Sequence, residues 1–327
     1  MKLGIIGTGA VGSAVARLAP EYGHSVVALA DSNSAAIDSD GLDSERLLAR
    51  KRDGESLGES DPGEALDGFY DVLIEATPTT LGDAEPGFSH VRRALEGDRH
   101  AVLANKGPVA ERYGELRALE ERSQGQVRFE ATVAGAIPAL STIADLGAGN
   151  VTAVRGVLNG TANFILSRMA AEGLGYEHVL AEAQDLGVAE ADPSFDVQGT
   201  DAALKCVILA NVLAEGNGHN DADEAAVREP YTLADAAVEG IEHVPPSALE
   251  LAAEDGRTIR LIGEVSQGSV RVGPRLVPEH GTLAVTGTQN ILQLETRHAG
   301  RLNISGRGAG GPETATAVLA DIGRLGV

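Results

Sequence analysis

The stretch KLGIIGTGAVGSAVARLAPE, residues 2–21, restricts the folds open to this chain more than any other. A short apolar strand runs into three glycines, Gly7, Gly9 and Gly12, and then into apolar residues at helical spacing. In this G-x-G-x-x-G pattern the first glycine permits a tight turn and the second lets the backbone approach a pyrophosphate. The third allows close packing of helix on strand. The free amides of a helix that opens at Ala10 and Val11 are then placed to bind phosphate. A second strand, HSVVALAD, ends at Asp31, about 20 residues beyond the last glycine, where an acid meets the ribose hydroxyls of a dinucleotide. No arginine directly follows Asp31 in DSNSAAID, which favours NAD over NADP. The basic run Arg46 to Arg52 keeps open a fold back toward a 2′-phosphate.

Two more strands fit the same parallel sheet. YDVLIEATPTT ends in a Thr/Pro-rich loop and RHAVLANKGPVA ends in ANKGP. Ligands of doubly wound sheets lie beyond the carboxyl ends of the strands, so Thr77 and Lys106 belong with the cofactor, Lys106 on its nicotinamide side. At 327 residues the chain has room for about two domains. The pattern changes after VRFEATVAGAIPAL. TAVRGVLNG reads as a strand, TANFILSRMAAEG as a helix with Asn159 and Thr161 as capping candidates, and YEHVLAEAQDLG as another helix. RTIRLIGEVSQGSVRVGPRLVP reads as a hairpin and NILQLETRHAG with RLNISG as a second strand pair, while AEGNGHNDADEAAVRE reads as a polar surface turn. The final GRGAGGPETATAVLADIGRLGV is a glycine loop opening a helix, with Pro312 at its start, and is expected to return to the cofactor domain. The expected architecture is α/β. A Rossmann-type doubly wound parallel sheet (residues 1–130 plus 305–327) is joined to a second α/β domain for substrate binding and dimerisation (131–304).

Acidic residues outnumber basic ones 48 to 26, for a net charge of −22. Such a surface repels nucleic acid and anionic membranes, so neither is an expected partner. No apolar run approaches the ~20 residues of a membrane span and no signal-peptide pattern opens the chain, which points to the cytoplasm. The lone Cys206 lies in an apolar run and reads as a buried core residue. The histidines show no metal-ligand spacing. Excess carboxylate with few lysines and aromatics suits concentrated salt, where screening removes self-repulsion. A merely acidic protein from a GC-rich genome has the same composition.

Only four lysines occur, Lys2, Lys51, Lys106 and Lys205. A chain that uses arginine wherever a surface cation is wanted keeps lysine for what arginine cannot do, which is to exchange a proton. Lys2, at the start of a strand, and Lys51, in RKRDGE, read as solvated. Lys205 closes EADPSFDVQGTDAALK, at the entrance to a helix where only Lys205 and Asn211 interrupt apolar residues from Ala202 to Ala214. Asp201 and Lys205 stand at i and i+4, on one face. In apolar surroundings two such charges either pair structurally or face a polar cavity. With the acidic loop Glu190 to Asp196, they form a candidate active site.

Together, GTGAVG, LANKGPVA, EATVAGAIPA, GVLNGTANFIL, EADPSFDVQGTDAALK and GRGAGG, in that order, resemble the homoserine dehydrogenases over nearly the whole chain. That family interconverts L-homoserine and L-aspartate 4-semialdehyde with NAD or NADP, in threonine and methionine biosynthesis. The resemblance implies that Lys106 and Lys205 are the candidates for proton transfer and that Asp201 binds substrate and orients it beside Lys205. It further implies substrate contacts from Glu190 and Asp196, and cofactor contacts from Thr77 and Gly310. A monovalent cation such as Na+ would sit on the Glu130 side chain and the carbonyls of Val133, Gly135 and Ile137. The likeness is to a short form without aspartokinase or ACT domain, to a homodimer, and, with the charge, to a halophile's enzyme. Two other readings remain open from sequence: another two-domain amino-acid dehydrogenase, such as one acting on aspartate, and a non-enzymatic NAD-binding regulatory protein.

Overall fold

The computed structural model describes residues 1–217, 229–266 and 268–326. It divides the chain into two compact units, Met1–Ala136 with Ala309–Val327, and Ile137–Gly308. The sequence placed these joints at 130/131 and 304/305. Most of the polar stretch expected as a surface turn, residues 218–228, lies outside the described residues.

The first unit is built on strands β1 (Lys2–Ile6), β2 (Ser25–Ala30), β3 (Ala35–Ile37), β4 (Val72–Glu75), β5 (His100–Leu103) and β6 (Val127–Arg128). Their order is β3-β2-β1-β4-β5-β6, parallel throughout except for the antiparallel edge strand β3. That order reverses between β1 and β4, the switch point at which doubly wound sheets bind ligands. The β1, β2, β4 and β5 residues are almost continuously buried, as expected of parallel strands covered on both faces. The helix Gly311–Ile322 belongs to this unit: Val318, Leu319 and Ile322 share one core with Leu3, Ile5, Val15 and Leu29. The closing segment therefore returns to the cofactor unit, with Pro312 in the first turn of its helix, as the sequence suggested.

The second unit holds β7 (Val151–Val157), β8 (Ala236–Val238), β9 (Arg257–Ser266), β10 (Ser269–Pro278), β11 (Gln289–Thr296) and β12 (Arg301–Arg307). The order is β12-β11-β7-β9-β10-β8, antiparallel except where β8 joins β10. Both expected strand pairs are present. The helix Thr200–Asn217 is packed against β9 and β10, and its approach is permitted by Gly263, where a Cβ would lie 2.5 Å from Cys206 Sγ. Cys206 is fully buried, and burial pushes its thiol up to about 12.

Candidate active site

In the first unit the glycine turn is built as its spacing requires. Gly7 takes φ +100°, and a Cβ there would stand 2.4 Å from the Ala76 carbonyl oxygen. A Cβ on Gly12 would stand 1.8 Å from the Gly7 carbonyl oxygen, so only glycine lets the Ala10–Leu18 helix lie this close to the turn. Around Gly9 the space is open, with nothing within 4 Å of where a Cβ would be. Gly9 caps the helix, and no side chain satisfies its first amides. That arrangement leaves donors for an anion where a pyrophosphate can approach, so these residues fit a dinucleotide. The second glycine loop reaches the same place, since a Cβ on Gly311 would lie 2.8 Å from the Ala10 carbonyl oxygen. Gly310, at φ +130°, caps the closing helix.

Asp31 stands at the end of β2. Its Oδ1 accepts the amides of Asn33 (2.9 Å) and Ser34 (3.0 Å), and its Oδ2 accepts Lys51 Nζ at 2.6 Å. Burial opposes ionisation of Asp31. The Lys51 hydrogen bond and the two amides outweigh it and hold the carboxyl below its ordinary value. Lys51 also donates to Thr8 Oγ1 in the glycine turn. The reading of Lys51 as a solvated cation is therefore corrected. It comes from the last turn of the helix Ser44–Arg52, and of the basic run it is Lys51 that reaches Asp31. The scarcity of lysine that singled out Lys106 and Lys205 applied equally here.

Thr77 is held by a buried carboxylate that the sequence reading passed over. Glu75, fully buried at the end of β4, accepts from the Thr77 amide (3.0 Å) and hydroxyl, from Asn105 Nδ2 (3.3 Å), and pairs with His90 Nδ1 at 2.7 Å. Asn105 Nδ2 also reaches Thr77 Oγ1 at 3.1 Å. The two loops after β4 and β5 are thus fixed to one another, one residue before Lys106. Lys106 is half-buried, precedes the short helix Gly107–Glu111, and places its amide 3.4 Å from Thr79 Oγ1.

Near the end of the same unit, Glu130 is 3 % exposed and precedes the single turn Ala131–Ala134. Its amide donates to Asp321 Oδ2 at 2.8 Å, and Arg324 Nη1 lies 4.0 Å from its carboxylate. Burial pushes the Asp321 carboxyl up to about 6. Two buried carboxylates thus share one nearby guanidinium. Gly135 follows with φ 56°, and Ile137 opens the second unit. The Glu130 carboxylate is an oxygen donor of the kind a hard monovalent cation takes. Among the described residues no three His, Cys, Asp or Glu gather as metal ligands.

The second unit assembles a polar chain in an apolar setting. Asn159 caps the helix Gly160–Glu172 by accepting the Ala162 amide at 2.8 Å. Its Nδ2 donates to both Asp196 Oδ1 (2.6 Å) and Asp201 Oδ2 (2.9 Å). Lys205 Nζ donates to Asp201 Oδ2 and to the Leu158 carbonyl, each at 2.7 Å. The Lys205 and Asp201 side chains are 7 % and 9 % exposed, so the expected i, i+4 pair is present and buried. The helix starts at Thr200 itself, which the sequence had placed as its cap. An ammonium has three donors; two are committed, and the third has no partner among the described residues. Burial first, and then the charge of Asp201, push the Asp196 carboxyl above its ordinary value, while Asn159 and Lys205 pull it back only in part. Glu190 is exposed, and the structure does not bring its carboxylate into this chain of contacts.

One neighbour was invisible in the sequence. Asn290, 1 % exposed on β11, donates from Nδ2 to the same Leu158 carbonyl at 3.0 Å. Its Oδ1 is buried with no donor, a deficit that costs about 1–3 kcal/mol.

The decisive comparison is with a family model described as homoserine dehydrogenase, which matches residues 138–322. The chain belongs to the homoserine dehydrogenase family. Members are NAD(P)-dependent oxidoreductases acting on homoserine, and the chain's α/β architecture is theirs. A homoserine dehydrogenase of Methanocaldococcus jannaschii is 38 % identical, over 98 % of this chain and 97 % of the relative. An NAD(+)-dependent homoserine dehydrogenase of Pseudomonas canavaninivorans is 32 % identical, over 98 % and 95 %. The crystal structure of a putative homoserine dehydrogenase from Archaeoglobus fulgidus superposes with a TM-score of 0.87, at 40 % identity and 98 % coverage of both chains. A glutamate/leucine/phenylalanine/valine dehydrogenase model matches residues 1–74, which carry the glycine turn and Asp31. The reading as another amino-acid dehydrogenase or a non-enzymatic NAD-binding protein is not favoured.

Proposed function

We propose that this homoserine dehydrogenase interconverts L-homoserine and L-aspartate 4-semialdehyde with Lys205 as the proton-transfer group. The observation that carries this is a buried ammonium with two hydrogens committed to Asp201 and Leu158 and one left over. A dinucleotide held on the glycine turn would supply the hydride chemistry at the substrate's C4. As hydride reaches the aldehyde carbon, the carbonyl oxygen gains charge, and Lys205 stabilises it and gives its proton. In oxidation the neutral amine takes the hydroxyl proton. Asp201 holds Lys205 in position, and Asp196 offers a carboxylate to the substrate's ammonium, with Glu190 at the exposed start of the same acidic loop. Lys106 is the second proton-transfer candidate.

The dinucleotide would rest on Gly7, Gly9, Ala10, Val11 and Gly12, with Thr77, Lys106 and Gly310 along it. Asp31 suits the ribose hydroxyls of NAD. The Lys51 ammonium beside it suits the 2′-phosphate of NADP, so Lys51→Ala is expected to raise KM for NADP about tenfold or more, with far less effect on NAD. A monovalent cation such as Na+ would sit on Glu130 and the carbonyls of Val133, Gly135 and Ile137.

The same reading includes a homodimer formed through the second unit, a cytoplasmic location, a role in threonine and methionine biosynthesis and adaptation to high salt. The charge of −22 supports the last. No helix among the described residues is long and apolar enough to cross a membrane.

Purified protein with L-homoserine and NAD or NADP, in dilute buffer and in molar KCl, tests the reaction by absorbance of the reduced nicotinamide. Turnover is expected. Folded protein that binds the dinucleotide yet turns over no homoserine in any salt overturns it.

A further inference from the structure

The Leu158 carbonyl receives two donors, Lys205 Nζ at 2.7 Å and Asn290 Nδ2 at 3.0 Å. We infer that Asn290 is a positioning residue that fixes which hydrogen of Lys205 is exchanged with the substrate. The inference deepens the reading above and rests on Lys205 as the proton-transfer group.

Consider the ammonium losing one proton. The amine keeps both its hydrogen bonds only if the third hydrogen departs. Loss of either of the others would aim the nitrogen lone pair at the oxygen of Asp201 or of Leu158, which repels it. The lone pair therefore appears where the third hydrogen was, and the same position takes the hydroxyl proton back. In reduction the N–H bond at Lys205 breaks as an O–H bond forms on the substrate, and in oxidation the reverse occurs. This selection works only while both acceptors stay in place.

Asp201 is held by Asn159 at 2.9 Å. Leu158 is a backbone carbonyl just past the end of β7, and its second lone pair is taken by Asn290. The carboxamide of Asn290 is itself fixed, because it lies against Gly308, where a Cβ would be 1.9 Å from Nδ2. Its Oδ1 is buried without a donor. A leucine would fill this space and leave no buried acceptor unpaired, so the bond to Leu158 accounts for an amide here. The two nitrogens on Leu158 lie within about 6 Å of each other, close enough for a charge at one to shift proton affinity at the other. The other charged groups around Lys205 are Asp201 on its own helix, Asp196 on the preceding short helix, and Glu264 on β9, whose charge reaches Cys206.

The test is the pH profile of kcat/KM for homoserine oxidation in wild type, Asn290→Asp, Asn290→Leu and Lys205→Ala, with NAD affinity measured alongside. The acid limb of such a profile reports the free enzyme's base. Asn290→Asp places a carboxylate beside the ammonium and should move that limb up by about one pH unit, a loss of about tenfold at a fixed pH on the limb. Asn290→Leu removes a competing N–H dipole and should move it in the same direction by less. NAD affinity should hold in both. Gly308→Ala displaces the amide and should reproduce the Asn290→Leu shift, with nothing added in the double variant. A limb that stays in place in Asn290→Asp and Asn290→Leu, whatever their melting temperatures, makes the residue structural and overturns the inference. Near-normal turnover in Lys205→Ala removes the proton-transfer reading and this inference with it. Loss of turnover there, with an unmoved limb in the Asn290 variants, removes this inference alone.

Discussion

A lysine that moves a proton and an arginine that cannot are separated by one substitution at position 205. Lys205→Arg keeps a cation beside Asp201 but removes a group able to exchange its proton near neutral pH. It and Lys205→Ala should each lower kcat by about 10²–10⁴-fold with NAD affinity unchanged, read from steady-state rates and cofactor titration. Asp196 offers a test of opposite sign for stability and function. Its folded carboxyl titrates above the ordinary value because it is buried and faces Asp201. Such a group favours the fold while protonated, and that contribution is lost as pH rises from the unfolded value through the folded one. When ionised, Asp196 therefore burdens the fold. Asp196→Asn, which can still accept from Asn159, should raise the melting temperature at pH 7 by about 2 °C or more and raise KM for homoserine. An unchanged or lower melting temperature would contradict the sign. Sequence alone disclosed the Asp201–Lys205 pair because two charges one turn apart in an apolar helix have few explanations. It did not disclose Asn290 and the Leu158 carbonyl, which lie 132 residues apart in the chain. Their roles depend on a backbone acceptor that every residue possesses.

Among the elements, the helix Thr200–Asn217 carries both a functional pair and a packing demand. Its Cys206 rests on Gly263 of β9, and an added methyl there has nowhere to go. Gly263→Ala should cost about 1–3 kcal/mol in denaturant unfolding, and Cys206→Ala in the same chain should recover part of it. With its thiol at about 12 and no exposure, Cys206 should resist iodoacetamide in native protein at pH 8 and react once the protein is denatured. The longer elements were legible because their apolar periodicity extends over many residues. The edge strands β3 and β8, three residues each, are too short to carry a period. The loop after β4 was seen for Thr77 but not for Glu75, whose lone acid inside an apolar strand gave no hint of its partners His90 and Asn105.

For the molecule as a whole, charge and connectivity matter more than any single contact. A net charge of −22 repels itself at low ionic strength, so the melting temperature should climb by several degrees as KCl goes from dilute to molar, and a flat response would refute salt adaptation. The doubly wound first unit could be read from its glycines and from the succession of apolar strand patterns that follow them. The second unit's strand pairs and helices could be read as separate elements, but its mixed sheet has no comparable fingerprint. The return of the helix Gly311–Ile322 to the first core also has a consequence for biosynthesis. On the ribosome, β1 to β6 emerge long before that helix, and the whole of the second unit is made in between. The nucleotide-binding half must wait with part of its apolar surface uncovered, whereas the half made later has its entire chain available first. A chain truncated just after Gly308 should accordingly hold a protease-resistant second unit beside a first unit that is still open to cleavage.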